Sequence, residues 1–249
     1  MRENGLRSIW ASGKGATNAW AQLPAAFATE TLAHQGWDSI TVDTQHGLVG
    51  YADMVAMLTA IATTETVPLV RVGWNDPAEV MRAADAGAMG VICPTVNSKD
   101  ECEKFVGALR YAPLGYRSLG PNRARLYGDD YQLKSNETLL AIAQVETAAG
   151  LANVEAIASV KGLDQLYIGP SDLGLSMGRE GRMDQTDPVV VAAIDKILAT
   201  AHKAGLTAGI YCTSAAYAKQ MLAKGFDLVT CTSDTALLRA GAALRREFK

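Results

Sequence analysis

Several side chains able to do chemistry stand at or just beyond the ends of short apolar runs: His46 after Val42–Asp43, Arg71 after Leu69–Val70, Gln144 and Glu146 in QVET, and Asp172 in IGPSDL. Two carboxylates are hard oxygen ligands. With waters or a chelating substrate in the remaining positions, they suit Mg2+ or Mn2+. A 2-oxo acid supplies such a chelate through its carboxylate and keto oxygens. Arg71 carries a guanidinium that keeps its charge, and it can donate to a developing enolate oxygen as an oxyanion hole does. His46 is the only one of three histidines at a strand end, whereas His34 and His202 fall in helical segments and read as surface or packing residues. An imidazole changes charge near neutral pH, so His46 is the natural general acid–base group. The turn Gly169-Pro170-Ser171-Asp172 offers backbone N–H groups at Ser171 and Asp172 that can hold a carboxylate. Each residue also has a plainer reading, as a cap, a rim salt bridge or a common Gly-Pro turn. Their convergence favours a site.

The elements that must position these groups alternate along the chain. Apolar, β-rich runs occupy Asn18–Leu23, Ser39–Asp43, Pro68–Val72, Gly90–Pro94, Leu139–Val145, Gln165–Ile168, Thr207–Tyr211 and Leu228–Cys231. Segments of helical period lie between most of them: Ala25–Gln35, Tyr51–Ala62, Ala78–Ala86, Lys99–Leu109, Ala148–Ser159, Val189–Ala204 and Ala215–Ala223. Nearly continuous apolar strands alternating with helices indicate a parallel sheet with a helical outer layer. Gly36, Gly87, Gly205 and Gly225 end helices shortly before the next strand, as C-terminal caps would. Eight such strands predict an α/β fold of the (β/α)8 TIM-barrel type, one domain over residues 1–249, with an irregular insertion at Tyr111–Asn136. In such barrels the active site lies at the C-terminal ends of the strands, where all the residues above collect.

Size and composition agree. The chain has 249 residues, 49% hydrophobic and 20% charged, with a net charge of −3. This gives no electrostatic reason to expect nucleic acid or an anionic membrane as partner. Met1–Trp10 lacks the apolar run of a signal peptide, and no stretch is long and apolar enough to predict a membrane span. Cys93, Cys102, Cys212 and Cys231 show neither zinc-type nor redox spacing and read as reduced thiols, which points to a cytoplasmic protein. A Schiff-base aldolase needs a lysine facing the barrel centre. Here Lys161 precedes the sixth strand at the wrong end, and the other lysines lie in helices, turns or termini. No glycine-rich phosphate cradle is present. Metal-stabilised enolate chemistry fits better.

The motifs Val42–His46, VRVGWNDP (Val70–Pro77), YAPLGYRSLG (Tyr111–Gly120), QVET (Gln144–Thr147) and IGPSDL (Ile168–Leu173) carry a resemblance over nearly the whole chain. In order and spacing they resemble the HpcH/HpaI aldolase family, class II pyruvate-type 4-hydroxy-2-oxo acid aldolases of the citrate lyase β-subunit superfamily. The resemblance implies a (β/α)8 barrel, commonly a homo-hexamer whose last helix packs on a neighbour. It implies that Glu146 and Asp172 bind a divalent metal (Mg2+, Mn2+ or Co2+), and that Gln144 and the turn at Gly169, Pro170, Ser171 and Asp172 contact the 2-oxo acid. By the same resemblance Arg71 stabilises the transition state and His46 moves the proton. Asp85 matches a carboxylate thought to raise the basicity of that histidine, although periodicity alone reads it as a solvated helix residue; Asp43 is close enough in sequence to orient His46. One position departs from the pattern: Gln45 stands where Glu is frequent before the histidine. Loss of that charge argues against 4-hydroxy-2-oxoheptanedioate as substrate and toward broader hydroxy-oxo acids, including hydroxypyruvate-derived ones.

The expected reaction is reversible retro-aldol cleavage of a 4-hydroxy-2-oxo acid to pyruvate, or hydroxypyruvate, and an aldehyde. Two rivals are a CoA-ester lyase or oxaloacetate decarboxylase of the same superfamily, with Arg117, Arg123 and Arg125 as a basic groove for the nucleotide, and a non-catalytic 2-oxo-acid-binding barrel.

Overall fold

In the computed structural model, which describes residues 1–248, eight strands pair in parallel and in chain order, and the eighth returns to the first to close a barrel. The strands are β1 (Ala16–Ala21), β2 (Ser39–Asp43), β3 (Val67–Arg71), β4 (Gly90–Cys93), β5 (Leu140–Val145), β6 (Gln165–Ile168), β7 (Thr207–Tyr211) and β8 (Leu228–Ser233). Helices α1 (Gly5–Ala11), α2 (Ala26–Ala33), α3 (Tyr51–Ile61), α4 (Pro77–Asp85), α5 (Lys99–Leu109), α6 (Tyr131–Thr138), α7 (Ala148–Ala152), α8 (Val154–Ala158), α9 (Pro170–Ser176), α10 (Pro188–Lys203), α11 (Ala215–Lys224) and α12 (Asp234–Gly241) complete the chain. The expected eight-stranded barrel is present.

Boundaries differ from expectation where local chemistry decides them. The helix expected at Ala148–Ser159 is two short helices broken at Asn153. Pro170, read from sequence as part of a turn, is the first residue of α9, the position where a missing N–H costs a helix nothing. The segment 111–136 is not irregular throughout: it holds a 3-10 turn at Ala124–Tyr127 and the start of α6. Gly225 closes α11 at φ +109°, a left-handed conformation that costs glycine little.

Two apolar layers stabilise the barrel. One lies between the sheet and the helices, with Ile40, Val42, Val70, Val145, Leu166, Ile168 and Val229 pointing outward. The other fills the barrel, with Val67, Leu69, Leu140, Ile142 and Leu228 pointing inward. Strand alternation sorts one set from the other. Helix α1, absent from the sequence reading, closes the end where the strands begin. Its Leu6 is fully buried in the inner layer, and the Asn4 amide donates to Met89 O (3.0 Å) and Thr138 O (3.1 Å). Among the described residues no helix is long and apolar enough to cross a membrane.

Candidate active site

Going up β5, β3 and β2 by twos, the inward positions lead to an ionisable side chain at the top. On β5 they run Leu140, Ile142, Gln144, and Glu146 follows. On β3 they run Val67, Leu69, Arg71; on β2, Ser39, Thr41, Asp43. Asp43 and Arg71 are direct partners across β2 and β3. Barrel closure therefore gathers the polar ends at one mouth. There a cavity of about 260 Å3 is lined by His46, Arg71, Gln144, Asp172 and neighbours that include Trp20 and Tyr211.

Arg71 and Asp43 are both buried and meet side-on. Arg71 Nε donates to Asp43 Oδ1 (2.9 Å) and Nη2 to Oδ2 (2.8 Å). The Trp20 ring lies 4.1 Å from the guanidinium carbon, a cation–π contact that adds to the geometric hold. Trp20 is itself held, its Nε1 donating to Thr230 Oγ1 (2.9 Å). The remaining nitrogen of Arg71, Nη1, makes no hydrogen bond among the described residues, so it is available to the cavity that Arg71 lines. Burial pushes the Asp43 carboxyl up. The hydrogen bond and charge of Arg71 outweigh this, and with help from Gln22 and the His46 backbone they leave it below the usual carboxylate range. Asp43 does orient the histidine loop, though by its backbone: the N–H groups of Gln45 (3.1 Å) and His46 (3.3 Å) both donate to Oδ1. The imidazole of His46 is exposed at the cavity. Gln45 Oε1 is enclosed without a partner.

Glu146 packs against Gly169 and is close enough to Asp172 to feel its charge. The Glu146 carboxylate is buried beneath the cavity wall. Its Oε1 accepts from Thr95 N–H (2.8 Å) and Thr95 Oγ1 (2.9 Å), and its Oε2 from Gln144 Nε2. Thr95 adopts φ +54°, an unusual conformation for a β-branched residue, and this lets backbone and hydroxyl reach one oxygen together. Burial raises the Glu146 carboxyl above its ordinary range, and the negative charge of Asp172 adds to the shift. A methyl group on Gly169 would fall 2.5 Å from Glu146 Oε2 and 2.9 Å from Gln144 Nε2. Close packing against these two side chains therefore requires glycine. Asp172 sits in the first turn of α9, exposed at the cavity, and no side chain caps the N–H groups of that turn.

These residues suit a divalent cation. Two carboxylates repel one another here without a counter-charge, and Gln144 Oε1 is a buried oxygen with no partner. All three atoms are of the hard type that Mg2+ or Mn2+ prefers. Among the described residues no group of three or more His, Cys, Asp or Glu side chains is placed to hold a metal.

The fold does not bring Asp85 to His46. Helix α4 runs back from the rim, so its last residue lies where the strands begin, and Asp85 there accepts from Arg117 Nη2 (2.7 Å). Of the three arginines considered as a basic groove for a CoA ester, Arg117 and Arg123 are taken up by other contacts, whereas Arg125 is exposed. Arg117 is buried against Asp85 and Tyr131. Arg123 donates to Ala86 O (2.9 Å), Leu58 O (3.2 Å) and Thr59 Oγ1 (2.9 Å) at the same remote end. Trp20, Thr95 and Gln22 escaped the sequence reading because the ends of the first and fourth strands were not weighed there; the strand-end rule would have included all three.

With this geometry in place, comparison with known proteins is decisive. A family model described as HpcH/HpaI aldolase/citrate lyase matches residues 17–240. The chain belongs to that family. Membership makes it a class II aldolase, a carbon–carbon lyase. A hydroxypyruvate/pyruvate aldolase of Rhizorhabdus wittichii is 40% identical over 96% of each chain. A 4-hydroxy-2-oxo-heptane-1,7-dioate aldolase of Shigella flexneri is 33% identical over 99% of this chain and 93% of its own. The crystal structure of a family protein from Burkholderia cenocepacia superposes with a TM-score of 0.91 at 33% identity, covering 98% of this chain and 99% of that one.

Proposed function

We propose that the chain cleaves 4-hydroxy-2-oxo acids reversibly to pyruvate or hydroxypyruvate and a small uncharged aldehyde, with Arg71 as the stabiliser of the enolate. The observation that carries this reading is the guanidinium locked by Asp43 and Trp20 with Nη1 left over at the cavity. A donor fixed before the reaction begins needs no reorganisation when charge develops, which is the condition for effective electrostatic catalysis. Between Glu146 and Asp172 a divalent ion (Mg2+, Mn2+ or Co2+) would supply Lewis-acid contact to the carboxylate and keto oxygens of the 2-oxo acid. The free N–H groups at Ser171 and Asp172 face the acid's carboxylate.

His46, directly or through water, takes the proton of the 4-hydroxyl. The C3–C4 bond then breaks, its electron pair passes into C3 and the C2 carbonyl, and C4 leaves as the aldehyde. Arg71 Nη1 donates to the enolate oxygen until C3 is protonated. Among the described residues lining the cavity Arg71 is the one permanent cation, and Asp43 already matches it. A second carboxylate on the aldehyde would find no further counter-charge among the described residues that line the cavity, which supports an uncharged acceptor, as does Gln45.

We also propose a homo-hexamer in the cytoplasm. In support, no residue of α12 is buried within one chain, although Leu237 and Leu238 lie on it, and all four cysteines are free.

Arg71→Ala should abolish aldol cleavage while the affinity for Mn2+ stays unchanged. Removal of metal should abolish cleavage too, with Mg2+ or Mn2+ restoring it. A wild-type rate in Arg71→Ala would overturn the reading. Binding of pyruvate without C3 proton exchange in deuterated water would favour the non-catalytic alternative.

A further inference from the structure

Asp43 Oδ2 is shared. Besides Arg71 Nη2 it accepts from Gln22 Nε2 (3.2 Å), just beyond the end of β1. The other end of that amide is also engaged, Gln22 Oε1 accepting from Thr235 Oγ1 (2.9 Å) in the first turn of α12. Thr235 Oγ1 in turn bonds with Ser233 Oγ (3.0 Å), the N-cap of α12. The Gln22 backbone is fixed from both sides. Its N–H donates to Asp234 Oδ2 (2.9 Å), and its carbonyl accepts from Leu48 N–H (3.0 Å) on the His46 loop.

A primary amide has one acceptor end and one donor end. The Asp43 carboxylate can only accept, so the donor end must face it, which turns the acceptor end to the Thr235 hydroxyl. Gln22 thus joins the start of the last helix to the ion pair that aims Arg71. That helix is sparsely anchored, with no residue of its own buried in the chain. The joint is accordingly the place where displacement of α12 would reach the catalytic guanidinium.

We propose that Gln22 is a positioning residue of the aldol reaction: held by Thr235 of α12, it orients Asp43 and through it Arg71. The inference rests on the catalytic role proposed for Arg71. Gln22 is part of the cavity wall, but both ends of its amide are engaged by Asp43 and Thr235 and it has no hydrogen bond to Glu146 or Asp172, so its loss should fall on kcat rather than on substrate or metal affinity.

The test is a double-mutant cycle on the full-length, metal-loaded enzyme, with kcat, KM for the 2-oxo acid and Mn2+ affinity measured for each variant. Gln22→Met keeps the length of the side chain and removes both hydrogen bonds. It should lower kcat roughly 5- to 10-fold, the range of one lost hydrogen bond, with KM and Mn2+ affinity within about twofold of wild type. Thr235→Val should lower kcat less, roughly 2- to 3-fold, because the amide keeps its donor but loses its orientation. The double variant should be no slower than Gln22→Met alone, since both changes break one chain of bonds. If Gln22→Met fails to fold, Thr235→Val still decides the question by its kcat at unchanged KM. Multiplied losses in the double variant, losses in KM alone, or wild-type kcat in both singles would overturn the proposal. Arg71→Ala, run alongside, separates the two readings: an inactive Arg71→Ala beside fully active Gln22 and Thr235 variants would sink only the role of Gln22, whereas an active one would sink both.

Discussion

At the scale of single residues, Asp43 is the hub of the mouth. It is fully buried, yet it takes hydrogen bonds from Arg71, Gln22, Gln45 and His46. Its carboxyl is therefore held below the usual range despite burial. For a group depressed on folding, the stabilisation is present above the unfolded value, about pH 4, and is lost as pH falls through the folded one. Acid unfolding should show this: wild-type stability should fall with pH below about 4, and Asp43→Asn should remove that part of the slope. An unchanged slope would mean that the Asp43–Arg71 pair is not maintained in solution. Gly169 gives a second test. Its φ of −97° suits any residue, so Gly169→Ala acts through the added methyl group alone, which would press on Glu146 and Gln144. Calorimetric titration should find Mn2+ bound roughly 10- to 100-fold more weakly, as for other groups that orient metal ligands, in a protein that still folds.

At the scale of elements, the two ends of the barrel have separate duties. The rim receives strand ends and loops, whereas α1 seals the opposite mouth with Leu6 at 0% exposure. Leu6→Ala should cost about 3 kcal/mol, as truncation of a buried leucine does. Thermal unfolding should then come several degrees earlier, at roughly 2–4 °C per kcal/mol for a chain of this size, while kcat stays at the wild-type value. A loss of activity in folded Leu6→Ala would show that the two ends are coupled. The segment 111–136 belongs with α1: Arg117, Arg123 and Tyr127 bind the helix end at Asp85–Gly87. That the insertion departs from strand–helix alternation was plain from its Gly, Pro and Arg content. Its place away from the site was not, because local composition carries no information about which end of a barrel a loop will cover.

At the scale of the whole molecule, α12 is, among the described residues, the α-helix with no residue buried within a single chain. Leu238 is 65% exposed on it, and Leu244 beyond it 62%. Apolar patches of this kind mark contact surfaces. If the proposed hexamer forms through this face, Leu238→Glu should move the sedimentation coefficient to that of a smaller species. An unaltered coefficient would place the subunit contacts elsewhere.

The amino-acid sequence by itself determined the alternation of strands and helices, the eightfold count and the rim positions of His46, Arg71, Gln144, Glu146 and Asp172. Periodicity, glycine caps and the polar residues at strand ends are local signals, and each survives in the sequence without knowledge of the partner element. Only the tertiary structure decided that Asp43 embraces Arg71, that Trp20 covers the same guanidinium, that Thr95 bends to hold Glu146, and that Asp85 faces away from His46. Those outcomes depend on the register between β2 and β3, on closure of β8 against β1 and on the direction in which α4 returns. Register and closure join residues far apart along the chain, and a side chain chooses its hydrogen-bond partner only after they are set.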